Sequence, residues 1–162
     1  MVSCDGRPAR TDVTRRVTRG FSPDALRRAR ETHPMLHRRG ELARVAGIGI
    51  STLGQWESGL KSPQVDKLKD VVDALGIEMD AVVLIPPGER YLSDWRVLKG
   101  MTQPQLGKAA GLSTSTVHRL ENGEVALTES SAEALRRGLE IPLDEVFAAY
   151  ERVRNRPPGA PA

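Results

Sequence analysis

The sequence contains few of the residues that build disulfide-stapled, metal-binding or membrane-spanning proteins. Its 162 residues include one cysteine, three histidines and 4% aromatic residues. A single cysteine excludes an intrachain disulfide, and no thiolate-stabilising pattern surrounds Cys4. The apolar run 81–85 ends at two prolines, far short of the roughly 20 residues that a membrane-spanning helix needs. These features favour a soluble, cytoplasmic protein with small aliphatic cores.

Signals for catalysis, cofactors and metals are also scarce. His33 and His37 are four residues apart, but Pro34 lies between them and no carboxylate or cysteine completes a ligand set. No nucleophile stands beside His118. The sequence therefore indicates no enzyme, no metal, no cofactor and no small-molecule domain. The first 20 residues lack the apolar core of a signal peptide.

The basic excess is concentrated at the two ends of the chain. Residues 1–20 carry five arginines and two aspartates, and residues 151–162 carry three arginines and one glutamate. The stretch between them is neutral or slightly acidic. Any nucleic-acid contact by the folded part must therefore come from a small basic or polar face.

The segment "LIPPGER" at 84–90 divides the chain, because Pro86-Pro87-Gly88 stops one helix before another begins. We expect a disordered basic arm at 1–20, a first module at 21–85, a linker at 86–89, a second module at 90–153 and a disordered tail at 154–162. The arm is either a minor-groove arm or a plain extension.

Apolar periodicity and capping residues predict only helices, and no strand. Ser22 is the cap of the first helix, Pro23 follows at its first position, and Leu68, Val71 and Leu75 recur at helical spacing. The first module is predicted to hold helices at about 23–32, 38–46, 50–57, 64–75 and 78–84. The second is predicted to hold helices at about 90–99, 103–110, 114–122, 128–138 and 142–153.

The two modules are copies of one another. An offset of 64 residues superimposes seven identities between residues 39–59 and 103–123, where average composition gives roughly one or two. The first helix needs two further residues of offset, so that Arg30 matches Arg96. The chain therefore contains one duplicated helical unit.

Each copy contains two helices joined by a glycine turn. Gly47 and Gly111 supply the positive backbone angle that ends the first of these helices. In the next helix Leu53 and Trp56 lie three residues apart on one face, as do the matching residues of the second copy, Val117 and Leu120. The opposite face is polar and presented outward, which is the organisation of a helix-turn-helix.

Both copies resemble the lambda-repressor-like (Cro-type, XRE) helix-turn-helix family. The second copy carries the family pattern as Gln103, Gly107, Gly111, Val117, Leu120 and Glu121-Asn122-Gly123. The first carries Arg39, Ala43, Gly47, Leu53, Trp56 and Glu57-Ser58-Gly59, and departs from the pattern at its opening residue. The resemblance implies an all-α fold of two tandem five-helix domains with disordered tails, and binding to double-stranded DNA.

The resemblance also implies roles for individual residues. Base-reading positions are Ile50, Ser51, Gln55, Thr114, Ser115, His118 and Arg119. Phosphate-contacting positions are Arg39, Ser58, Lys61, Gln103 and Asn122. Structural ion pairs are expected between Arg30 and Glu57 and between Arg96 and Glu121. Glu124 and Glu129 depart from the family by placing acid after the third helix of the second copy.

Two functions stay open at this point. The first is a sequence-specific transcriptional regulator, a repressor that reads DNA with both modules. The second is a protein-interaction or antitoxin-like module that keeps the fold. A homodimer through the apolar stripe Val146, Phe147, Tyr150 and Val153 is a further alternative, although the sequence favours packing of this stripe on its own module.

Overall fold

Short α-helices make up the chain in a computed structural model that describes residues 19–162. This range contains nine α-helices, two 3₁₀ turns and an isolated β-bridge. The helices are α1 (Pro23–Glu31), α2 (Arg39–Ala46), α3 (Ile50–Glu57), α4 (Val65–Leu75), α5 (Leu92–Leu98), α6 (Gln103–Ala110), α7 (Thr114–Glu121), α8 (Glu129–Leu139) and α9 (Leu143–Arg154). The all-α class is therefore confirmed.

Two apolar cores correspond to the two copies. Both are built from the buried faces of amphipathic helices, which exclude water when they pack. The first core includes Leu26, Leu42, Leu53, Trp56 and Leu68. The second core includes Leu92, Leu106, Val117, Leu120 and Leu135. Aliphatic side chains predominate in both, as the low aromatic content requires.

A left-handed glycine makes the turn in front of each third helix. Gly47 has φ 70° and Gly111 has φ 71°, and each is the C-cap of the preceding helix. A Cβ added at either position would meet no atom within 4 Å. The backbone angle, and not lack of space, is therefore what selects glycine here.

The predicted fifth helix of the first module, at about 78–84, is wrong in length. A single 3₁₀ turn, Met79–Ala81, takes its place. Val83 then forms an antiparallel bridge with Phe21, on the segment that leads into α1. β-branched Val83 suits a bridge, and the prolines that follow cannot continue a helix.

The predicted basic arm and the predicted C-terminal tail have different outcomes. Residues 1–18 of the predicted arm lie outside the described residues. The segment predicted as a disordered tail, 154–162, instead folds back on the second module, where Ala162 packs against the second core. Arg156 Nη1 donates to the carbonyl of Asn122 over 3.0 Å, which satisfies an acceptor at the end of α7.

Two helical glycines should respond in opposite ways to replacement by alanine. A Cβ at Gly107 would lie 2.7 Å from the Leu112 carbonyl oxygen, whereas a Cβ at Gly54 would meet Arg39 atoms at 3.7 Å or more. Gly54→Ala should therefore raise the free energy of unfolding by up to about 1 kcal/mol. Gly107→Ala should lower it by about 1–3 kcal/mol through overpacking. Urea denaturation measures both, and equal stabilisation by the two changes would contradict the close helix crossing.

Candidate nucleic-acid interface

The third helix of the first module, α3, has one buried and one open face. Leu53 and Trp56 are buried in the first core. Ile50 is 58% exposed, Ser51 is exposed and Gln55 is half-buried. Gly49 precedes α3 and offers no side-chain cap, so the first backbone N–H groups of the helix remain available for other acceptors.

The matching helix of the second module, α7, also has one buried and one open face, but a side chain caps its N-terminus. Ser113 Oγ accepts a hydrogen bond from the Thr116 backbone N–H at 3.1 Å, and Val117 and Leu120 are buried. The exposed residues on the opposite face are Thr114, Ser115, His118 and Arg119. The structure thus brings all of the predicted base-reading residues of this copy onto one surface.

A buried ion pair joins the first and third helices in each module. Arg30 Nε lies 2.5 Å from Glu57 Oε1, and Arg30 Nη2 lies 3.1 Å from Glu57 Oε2. Arg96 and Glu121 repeat this bidentate geometry at 2.5 and 3.2 Å. All four side chains are more than nine-tenths buried. Two parallel charge-assisted hydrogen bonds fix orientation as well as distance, so the third helix of each module (α3 or α7, called the recognition helix below) cannot rotate freely.

The same guanidinium groups also hold the loop that enters the second helix. Arg30 Nη1 donates to the His37 carbonyl, and Arg96 Nη1 donates to the Met101 carbonyl at 2.9 Å. Each buried arginine therefore positions two elements at once. The start of the second helix and the recognition helix are placed relative to one another by a single side chain.

Sequence reasoning missed one contact that links the predicted phosphate-contacting residues to this pair. Arg39 Nε lies 3.1 Å from Glu57 Oε2, and Gln103 Nε2 lies 2.8 Å from Glu121 Oε2. The signal was present, since both residues stand 18 positions before the glutamate of their copy. The Arg39 side chain is still 45% exposed, so its outer nitrogens face solvent.

The Arg39 side chain lies beside the backbone of Gly54. The nearest side-chain atoms to a Cβ built there are Nη1, Cδ and Cζ of Arg39, at 3.7 to 3.8 Å. The arginine therefore extends across the open face of α3. The first module presents a cation at the point where the second presents a neutral amide.

In the second module, three of the predicted DNA-contacting residues form one hydrogen-bonded group. His118 lies between Gln103, whose Nε2 is 3.4 Å from the ring Nδ1, and Asn122, whose Nδ2 is 3.1 Å from the ring Nε2. Asn122 Nδ2 also lies 2.9 Å from the His118 carbonyl oxygen. We call Gln103, His118 and Asn122 the polar triad. It adds hydrogen-bond donors and acceptors to a face whose arginine is Arg119.

The segment after the recognition helix differs in charge between the copies. Lys61 is exposed and borders an open cleft of about 320 Å³ beside α3, together with Thr52, Gln55 and Lys67. Ser58, also exposed, donates from its hydroxyl to the Gln55 carbonyl at 3.2 Å. In the second module Val125 takes the place of Lys61, and Glu124 beside it is exposed. The first module therefore offers the more electropositive surface.

The apolar stripe considered for a homodimer belongs mainly to the second core. Val146, Tyr150 and Val153 are buried there, and the Tyr150 hydroxyl donates to the Val125 carbonyl at 2.6 Å. Phe147 alone stays substantially open, at 37% exposed. The stripe thus packs on its own module, as the sequence favoured, and homodimerisation through it is not shown.

Residues 19–162 contain no group of three or more histidine, cysteine, aspartate or glutamate side chains arranged to hold a metal ion. Over the same range, none of the helices combines the length and the apolar character needed to cross a membrane.

Breaking the buried ion pair should destabilise the module far more than breaking an exposed pair of the same chemistry. Glu121→Ala leaves Arg96 buried without its partner and should lower the free energy of unfolding by about 3–5 kcal/mol. Glu133→Ala removes a pair with Arg136 that is about two-fifths exposed and screened by solvent, and should leave the free energy of unfolding almost unchanged. Calorimetry on both variants tests this, and equal effects would show that the buried pair is not structural.

Comparison with known proteins adds one finding. A family model described as helix-turn-helix matches the chain twice, over residues 26–82 and 92–146. No curated protein matches the chain. The first matched region contains most of α1 and all of α2–α4, and the second contains α5–α8 with the start of α9. Each includes one recognition helix and its buried ion pair.

Proposed function

Because the chain belongs to the lambda-repressor-like helix-turn-helix family of DNA-binding regulatory proteins, we propose that it is a sequence-specific transcriptional regulator that inserts α3 and α7 into the major groove of double-stranded DNA. The proposal depends on one observation above all. Each recognition helix is clamped on its inner side and open on its outer side, so a set of polar groups is held ready for base edges without reorganisation. We propose further that it is encoded by a bacterium or its phage and acts in the bacterial cytoplasm, on the nucleoid.

The open faces supply the base readers. Arg119 has the geometry to donate two hydrogen bonds to guanine, Gln55 to pair with adenine, and Ile50 to contact a thymine methyl. Serine and threonine hydroxyls can either donate a hydrogen bond to a base edge or accept one from it. The complete set of proposed readers is Ile50, Ser51, Gln55, Thr114, Ser115, His118 and Arg119.

Phosphate contacts fix the register of each helix. The proposed set is Arg39, Ser58 and Lys61 in the first module and Gln103 and Asn122 in the second. Residues held by a buried carboxylate, as Arg39 and Gln103 are, lose little conformational entropy when they bind a phosphate. Since two of the three phosphate-contacting residues in the first module are cationic, that module supplies most of the electrostatic attraction to the DNA backbone.

Repression is the mode of action we propose. The two modules account for nearly all of the described residues, and both are devoted to presenting a recognition helix. A protein of this form acts on transcription by occupying promoter DNA and excluding the polymerase.

A protein-interaction or antitoxin-like function is the second candidate. It is favoured by the second module, where the polar triad has no lysine or arginine and Glu124 is exposed on the adjoining segment. Such a face suits a protein surface at least as well as a phosphate backbone.

Salt dependence distinguishes the two functions. The affinity for DNA should fall steeply between about 50 and 200 mM salt, by a slope of about 0.9 per phosphate contacted. Selection from a random duplex pool should return a defined sequence. Selection without sequence enrichment, together with salt-independent capture of a protein partner, would support the second candidate.

Two variants that each remove one positive charge should distinguish base recognition from phosphate binding. Arg119→Ala should cost about 1–3 kcal/mol of binding free energy and relax preference at one base position. Arg39→Gln removes a cation and introduces the residue that the second copy has at Gln103. Because Gln103 bonds to Glu121, the new glutamine should keep the contact with Glu57. It should weaken all sequences alike and reduce the salt slope by about one.

Binding assays on the selected site and on its single-base variants measure both effects. The assignment of roles would be wrong if Arg39→Gln altered base preference or if Arg119→Ala left it intact.

A further inference from the structure

Helix α5 belongs to both modules. Its residue Leu92 is buried in the second core. Five residues later Val97, only 8% exposed, is part of the first core, and Leu98 packs against that core as well. A helix whose two ends are buried in different cores does not move independently of either one.

A glycine allows the close approach that follows α5. Gly100 has φ +70°, and a Cβ there would lie 2.7 Å from Cγ of Lys69 on α4. The aliphatic stem of the lysine passes over the bare backbone of the second module. This contact lies outside the covalent linker, so it restrains the modules independently of it.

The segment that leads into α1 also reaches the second module. Arg19 forms an ion pair with Asp94, and its guanidinium carbon lies 3.9 Å from the centre of the Tyr91 ring. Asp94 is 4% exposed, and burial raises the pKa of its carboxyl, against the Tyr91 backbone N–H and Arg19, which lower it. A charge held this deeply needs its partner, so Arg19 ties the first module to the second.

The linker itself is short and internally bonded. Pro87–Glu89 forms a 3₁₀ turn, and Arg90 Nε donates to the Ile85 carbonyl at 3.0 Å. Together with the shared core, this leaves little freedom for one module to swing relative to the other.

The contact between the modules is not reciprocal. The counterparts of Val97 and Leu98 in the first module are Glu31 and Thr32, and both are exposed. The 3₁₀ turn that α5 covers begins at Met79, which is 2% exposed, whereas its counterpart Leu143 is 38% exposed. A two-fold pair buries the same surface of both partners, so this pair is head-to-tail.

Resting on the DNA-binding function proposed above, we propose that this head-to-tail interface holds α3 and α7 in one fixed relation that is not two-fold. The chain then reads two unlike half-sites at a single spacing, and the second half-site is not an inverted copy of the first. Val97 and Arg19 are positioning residues, since they act on specificity through the pose of the modules and touch no DNA.

DNA spacing variants test the inference. Starting from the selected site, one duplex gains five base pairs between the half-sites, a second has one half-site inverted, and a third keeps only one half-site. We expect insertion and inversion to lower affinity by about 100-fold, to the level of the single half-site, because bivalent binding is lost. Undiminished affinity after insertion or inversion would overturn the fixed pose.

Matched protein variants connect the effect to the interface. Val97→Ser should reduce the affinity for the full site relative to the five-base-pair insertion duplex, and leave single half-site affinity unchanged. Leu143→Ser, on the open counterpart surface, should alter neither. Arg19→Ala, outside the helices, repeats the test if Val97→Ser does not fold. Spacing preference that survives in Arg19→Ala and in any folded Val97→Ser would overturn the inference.

A distance measurement without DNA separates this inference from the proposed function. Spin labels at Asp70→Cys and Arg137→Cys, in a Cys4→Ser background, report the separation of α4 and α8. A single narrow distance supports the fixed pose, and a broad distribution overturns it. Sequence-selective binding with a broad distribution leaves the DNA-binding function standing, whereas a narrow distance without any selective binding refutes that function and leaves the interface intact.

Discussion

The buried arginine–glutamate pair is the interaction on which each module depends. It joins the first helix to the end of the recognition helix, and its remaining guanidinium donor fixes the loop that enters the second helix. Removing these charges from water is costly, and the bidentate geometry offsets that cost only when every element is in place. The pair therefore acts less as a source of stability than as a specification of geometry, which is what a reader of base edges requires.

Much of this architecture was predictable from local sequence. The glycine turns, the spacing of Leu53 and Trp56 and the duplicated pattern determine where the recognition helices lie, since they depend on contacts within one short segment. The ties of Arg39 and Gln103 to the buried glutamates were missed because they join residues 18 positions apart in sequence, through hydrogen bonds that periodicity does not register. The fifth helix of the first module failed for a similar reason. Its extended backbone depends on Phe21, more than 60 residues earlier.

Duplication allowed the two copies to diverge on a common frame. Both keep the ion pair, the left-handed glycine and the apolar face of the recognition helix. The surface above that frame differs, with Arg39 beside Gly54 in the first copy and the polar triad in the second. The frame and the surface use different residues, so the surface can vary without loss of the fold.

The open counterpart surface at Leu143 has a consequence for self-association. A head-to-tail contact between like units does not close on itself, and repeated from chain to chain it would grow into a filament. Growth would require the free end of the first helix of one chain (the head) to pack on the open Leu143 surface of another chain (the tail). In this chain the free head carries Glu31 and Thr32 in place of Val97 and Leu98, so an incoming Leu143 would face a carboxylate and a hydroxyl that lose their water on contact. The same two residues that make the pair asymmetric therefore disfavour this head-to-tail contact between one chain and the next.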